Sequence, residues 1–206
     1  MNPNPTPAEV GHALSAFGNY RVLRSQELAH NSFLPASVLM ALGLRESGLQ
    51  NICGGAVLEE GKWVQSFSDR GCFQISDKVE PAWLKLVPGC PNGTWVPDAP
   101  HNALEPLFCP RFTDAANRTI YVAGLNHNQG LKAGVKETEI VRFCVACHNA
   151  GFHGALEGWK DGNVDEHTTH GDYSKWVMAQ ADVIHKWVID HPNWRWKGQK
   201  LGEEEP

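Results

Sequence analysis

Residues Pro35 to Arg45 read Pro-Ala-Ser-Val-Leu-Met-Ala-Leu-Gly-Leu-Arg, almost wholly apolar and too regular to be a loop. A helix apolar on nearly every side has to lie in a core, so this segment predicts a buried helix. It ends in Glu46, followed by Ser47 and Gly48, and the glycine marks where the helix should stop. Apolar burial disfavours a carboxylate, and the negative end of the helix dipole disfavours it further. Glu46 is therefore expected to hold its proton towards neutral pH. Cleavage of a glycosidic bond needs a carboxylic acid held in this way as its general acid. The competing reading is a helix-end glutamate that points into water.

The 206 residues, 42% hydrophobic and 20% charged, suffice for one substantial core and one catalytic domain. A net charge of −5 with no long basic run argues against a protein that neutralises nucleic-acid phosphates. Apolar runs fall short of about 18 residues, so no membrane insertion is expected. The N-terminus Met-Asn-Pro-Asn-Pro-Thr-Pro lacks the basic and apolar parts of a signal peptide. Synthesis in the cytoplasm as a monomer is the default expectation.

The pattern predicts a mainly α (α+β) chain. Thr6-Pro7-Ala8-Glu9 is a capping box, opening a helix to about Leu23 with Val10, Leu14 and Phe17 on one face. Residues Ala56 to Phe67, around Glu59-Glu60-Gly61-Lys62, read as a β-hairpin. Pro81 to Phe112, rich in Pro and Asn, reads as a long irregular excursion. Helices follow at about Asp114–Asn128 and Thr138–Asn149, the second ended by Gly151, and at Tyr173–Asp190, stopped by Pro192. The expected organisation is an N-terminal tail and helix over 1–30, a catalytic domain over 31–190 and a C-terminal tail over 191–206 that carries Trp194 and Trp196.

Six cysteines permit three bridges. Cys53 with Cys72 and Cys90 with Cys109 flank loops and are the pairs to test in an oxidising setting. Cys144 and Cys147 sit in a periodic segment with no second Cys pair, which favours packing over zinc or redox chemistry. His148, His153, His167 and His170 share one stretch, but the intervening Gly154, Gly158, Gly162 and Gly171 read as loop markers without a His-Glu-x-x-His helix. No metal and no other cofactor is expected.

Four segments in order, Arg45-Glu46-Ser47-Gly48-Leu49, Asp69-Arg70-Gly71-Cys72-Phe73-Gln74-Ile75, Ala146-Cys147-His148-Asn149-Ala150-Gly151 and Thr168-Thr169-His170-Gly171-Asp172-Tyr173, resemble the goose-type lysozymes and the related soluble lytic transglycosylases. The resemblance spans about three quarters of the chain, Leu34 to Ile184. It implies a lysozyme-like fold, a helical domain with a small β-hairpin region beside an active-site cleft. It also implies that Glu46 protonates the β-1,4 glycosidic oxygen between N-acetylmuramic acid and N-acetylglucosamine in bacterial peptidoglycan. Gln74, His148, Asn149 and Tyr173 are then substrate-site residues, with Tyr173 near the acid. Gln74 as a purely structural amide clamp is the alternative at that position. His148 stands where the family usually has Tyr, and the spacer from Asp69 to Gln74 is shorter than in goose-type enzymes.

The second carboxylate separates two outcomes. Asp69, or else Asp77, holding a water at about 6.5–9.5 Å from Glu46 would make an inverting hydrolase. With no such carboxylate, the sugar's own 6-hydroxyl attacks, as in a lytic transglycosylase forming 1,6-anhydro ends. An enzyme of this kind without a signal peptide fits a phage endolysin released through a membrane pore, or a lysin carried in a virion. A non-catalytic wall-binding or virion module is a second class of function. A metal-dependent wall amidase or peptidase, separable by its sensitivity to a chelator, is a third.

Overall fold

A computed structural model describes residues 19–29, 32–48, 53–59, 62–76 and 112–190. The expected capping box at Thr6, the Pro81 excursion up to residue 111, Asp77, Cys90, Cys109 and the tail with Trp194 and Trp196 lie outside the described residues. Those described are mainly α-helical. Five α-helices occur among them: α1 (Asn19–Ala29), α2 (Ala36–Ser47), α3 (Phe112–Lys132), α4 (Ile140–Lys160) and α5 (Tyr173–Asp190). Strands β1 (Cys53–Glu59), β2 (Lys62–Arg70) and β3 (Ile75–Ser76) form one sheet in the order β1-β2-β3. None of the described helices is long and apolar enough to cross a membrane.

The chain divides into two compact units, Met1–Leu42 with Ile120–Pro206, and Gly43–Thr119. In the first, α2 is buried from Ala36 to Leu42, as a helix without a polar face must be. Leu39 and Met40 are wholly enclosed. Its N-terminus is satisfied from outside the helix. The Ala36 N–H donates to the Glu27 carboxylate of α1 at 2.8 Å, while Arg24 pairs with the same carboxylate. An anion at a helix N-terminus also meets the positive end of the dipole. Helix α1 runs six residues past the expected end at Leu23, which lets Glu27 reach that position.

Helix α4 packs on α5, with Phe143, Val145, Val177 and Ile184 in the interior. Cys144 and Cys147 are buried in α4, as packing residues would be, and the Cys144 thiol faces the Ala123 carbonyl at 3.6 Å. Burial pushes the Cys144 thiol up to about 12 and Cys147 higher still. Helices α3 and α4 end alike. Gly134 (φ 95°) donates to Leu131 O and Val135 to Gly130 O after α3; Gly162 (φ 89°) donates to Trp159 O and Asn163 to Gly158 O after α4. These paired bonds form a Schellman cap, which needs a left-handed residue and finds it in glycine.

Gly151 ends its helix as expected: it adopts the non-helical φ 72°, ψ 168°, and a second helical stretch begins directly after this kink and reaches Lys160, the two making up α4. One expectation is corrected here: Gly154 and Gly158 lie within helix, not in loops. Gly158 is needed for packing: a Cβ there would sit 2.5 Å from the Asn163 carbonyl oxygen.

In the second unit β1 and β2 pair antiparallel, with Glu59 opposite Lys62 at the tip and a register shift between Gly54 and Ala56. The hairpin expected over Ala56–Phe67 is longer at both ends, because β2 continues to Arg70 and there pairs with β3 as well.

Candidate active site

Ser47, next to Glu46, makes the contact that organises the end of α2. Its hydroxyl donates to the Cys72 carbonyl at 2.8 Å and lies 3.4 Å from Gly43 O, one helical turn back. Gly48 follows with φ 66°, and its N–H closes the helix on Leu44 O at 3.1 Å. The stop falls where the glycine was expected. Glu46 is half-buried, whereas Ala36 to Gly43 are buried throughout. The acid sits at the margin of the buried segment, less enclosed than the apolar run before it suggested.

The segment that accepts the Ser47 hydrogen bond is the tight turn Gly71–Gln74 between β2 and β3. Gln74 has φ 45°, a left-handed conformation that costs a non-glycine residue roughly 1–2 kcal/mol. Two donors of Gln74 converge on one acceptor and offset that cost: its N–H meets Gly71 O at 3.1 Å, and its side-chain Nε2 meets the same oxygen at 2.8 Å. Gln74 thus clamps its own turn. Cys72 and Phe73 are buried beneath it, and burial raises the Cys72 thiol to about 11, the backbone hydrogen bond opposing in part. It is a protonated thiol at neutral pH.

Asp69 was expected to follow the hairpin. It lies within β2 instead, half-buried, opposite Gly54 on one side and Ser76 on the other. Central-strand placement fixes its backbone through two neighbours. Arg118, in the part of α3 belonging to this unit, is 8% exposed, and burial lowers its pKa to about 10. It remains a cation at neutral pH.

The other expected site residues belong to the first unit. His148 and Asn149 are half-buried in α4 just before its bend at Gly151. The Asn149 carboxamide oxygen accepts the Thr169 N–H at 2.7 Å, so an amide expected to line the sugar site also holds the 3-10 turn Thr169–Gly171. That bond sets the orientation of the amide, because only its oxygen can accept. Within the turn His170 takes φ 65° and is exposed, and Gly171 N–H donates to Thr168 O at 3.0 Å. Tyr173 opens α5 and is 2% exposed.

Asp165 is the residue that sequence reasoning missed. It is 1% exposed, and its carboxylate accepts from Ser174 N at 2.7 Å, Ser174 Oγ at 2.7 Å, Lys175 N at 3.2 Å and Arg142 Nη2 at 3.0 Å. Burial alone would raise its pKa, but the Ser174, Arg142 and Lys175 hydrogen bonds outweigh it and hold the carboxyl below its ordinary value. Asp165 caps α5 from eight residues before Tyr173. No local capping pattern announces such a distant cap.

The histidines do not converge. His153, His167 and His170 are exposed, His167 lies 3.7 Å from Glu157, and no cluster of three or more metal-ligating side chains occurs among the described residues. The structure brings together the four sequence segments in two pairs: the Glu46-Ser47-Gly48 helix end with the Gly71–Gln74 turn, and Asn149 with Thr169. In comparisons with known proteins, no family model and no curated protein matches the chain.

Proposed function

We propose that the chain is a peptidoglycan-cleaving glycosidase of the goose-type lysozyme kind, with a lysozyme-like fold and Glu46 as general acid. The observation that carries this reading is the Ser47–Cys72 hydrogen bond, which joins two of the quoted segments across 25 residues of sequence. The Asn149–Thr169 bond, across 20 residues, supports it in the same way.

In the proposed reaction the Glu46 carboxyl gives its proton to the glycosidic oxygen between N-acetylmuramic acid and N-acetylglucosamine as the C1–O bond breaks. A water attacks C1 from the opposite face and passes its proton to Asp69, so the anomeric configuration inverts. Asp69 lies three residues before the carbonyl that Ser47 grips, on the strand leading into that turn. With Asp69 as the water-activating base the outcome is hydrolysis. A lytic transglycosylase would use the same acid with the sugar's 6-hydroxyl as nucleophile. Gln74, engaged with its own turn, shapes the wall of the site in this reading.

Mass spectrometry of muropeptides released from purified cell walls tests this directly. Hydrolysed ends are expected, one water heavier than anhydro ends. Release of peptides without any glycan cleavage would overturn the proposal.

A further inference from the structure

The Ser47 hydroxyl does more than finish a helix. A serine in the last turn of a helix can satisfy itself locally by bonding the carbonyl one turn back, and Gly43 O is within 3.4 Å. The shorter bond, 2.8 Å, goes to Cys72 O. That carbonyl belongs to a turn held from within by Gln74 and fastened through β2 to the middle of the sheet. One hydroxyl therefore ties the helix end bearing Glu46 to the hydrogen-bonded turn that follows the strand bearing Asp69. Gly48 follows Ser47 with φ 66°, and its N–H closes the last helical turn on Leu44 O at 3.1 Å.

We infer that Ser47 is a positioning residue for the proposed reaction: it sets the place of the Glu46 carboxyl relative to Asp69 without touching substrate. The inference rests on the reading of Glu46 as general acid. General acid catalysis depends on the donor standing within hydrogen-bond reach of the leaving oxygen, and small displacements lower the rate of the chemical step far more than they weaken binding. Loss of the hydroxyl should therefore act on kcat and spare KM.

The test compares Ser47→Thr and Ser47→Val, two side chains of the same shape that differ in the hydroxyl, on soluble peptidoglycan glycan strands, with wild type and Glu46→Gln as references. Ser47→Thr should keep kcat within about threefold of wild type, while Ser47→Val should lose at least about tenfold in kcat with KM within about twofold. Ser47→Ala, which adds no bulk, makes the same comparison if valine is not accommodated. Circular dichroism and Tm establish that each variant is folded. Equal kcat in the hydroxyl-bearing and hydroxyl-free variants would overturn the positioning role while leaving Glu46 as the acid. Cleavage retained by Glu46→Gln would overturn both, and so the two failures are distinguishable.

Discussion

Arg142 Nη2 lies 3.0 Å from Asp165 Oδ2, and Arg142 Nε also donates to Ser174 Oγ at 3.0 Å. One guanidinium on α4 thereby braces both the buried carboxylate and the first turn of the helix it caps. The pair is unequal, since Asp165 is enclosed and the Arg142 side chain is 45% exposed. Most of the strength should come from the short bonds around Asp165 and least from the charge pair itself.

Asp165→Ala should therefore destabilise the protein by about 2–4 kcal/mol, through a lost cap and unsatisfied groups around it, and Arg142→Ala by less. Urea denaturation of the two variants checks the order. If Arg142→Ala proved the more damaging, the carboxylate would not be the centre of the network.

The same carboxylate gives a pH dependence of definite sign. Its folded pKa lies below the unfolded value, so its contribution is present above about pH 3.9 and is lost as pH falls through the folded pKa. Wild type should lose stability on acidification below about pH 4 more steeply than Asp165→Asn does. Parallel stability curves for the two proteins in that range would contradict the assignment.

Glu46→Gln should abolish clearing of cell-wall suspensions while Tm stays within a few degrees, since the change is nearly isosteric at a half-buried position. Asp69→Asn should lower activity at least about tenfold if the carboxylate activates water. Unchanged activity in Asp69→Asn, together with anhydro ends on the products, would move the reading to a transglycosylase.

Three glycines of the helices should respond differently to alanine. Gly124 has open space around a new Cβ, so Gly124→Ala should stabilise by up to about 1 kcal/mol. At Gly130 the added carbon would lie 2.8 Å from Ile140 Cδ1, and at Gly158 it would lie 2.5 Å from a backbone oxygen. Both should destabilise, Gly158→Ala the more, because a side chain can shift and a capped backbone cannot. Thermal melts of the three variants give the ranking.

Cys144 and Cys147 should resist thiol reagents at pH 8 in the native protein and react once it is unfolded, since burial holds both protonated. Rapid native labelling of either would show that α4 opens readily.

The helices were legible where one local rule dominated. The apolar run of α2 announced its burial, Gly48 its end, and Tyr173–Asp190 was read as a helix over the bounds that α5 has. What failed was the reading of Gly154 and Gly158 as loop markers: the helix accepts glycine there because a neighbour comes close, and nothing local says so. The site was legible as residues but not as bonds. Ser47, Gln74 and Asn149 could be named, but their partners Cys72, Gly71 and Thr169 are set by tertiary approach or by a left-handed turn. Asp165 was invisible for the same reason, since its cap closes over a loop of several residues.

The bend at Gly151 has a bearing on heredity as well as on shape. With φ 72° and ψ 168°, the backbone there is one that essentially only glycine occupies, and two residues earlier Asn149 supplies the one acceptor that Thr169 meets. Folding alone would keep the Asn and the Gly of the Asn-Ala-Gly triplet through long divergence, whatever the activity. Persistence of that triplet in a lineage would register an unbroken architecture, whereas replacement of Glu46 would, on the proposed function, register the loss of the cleaving activity.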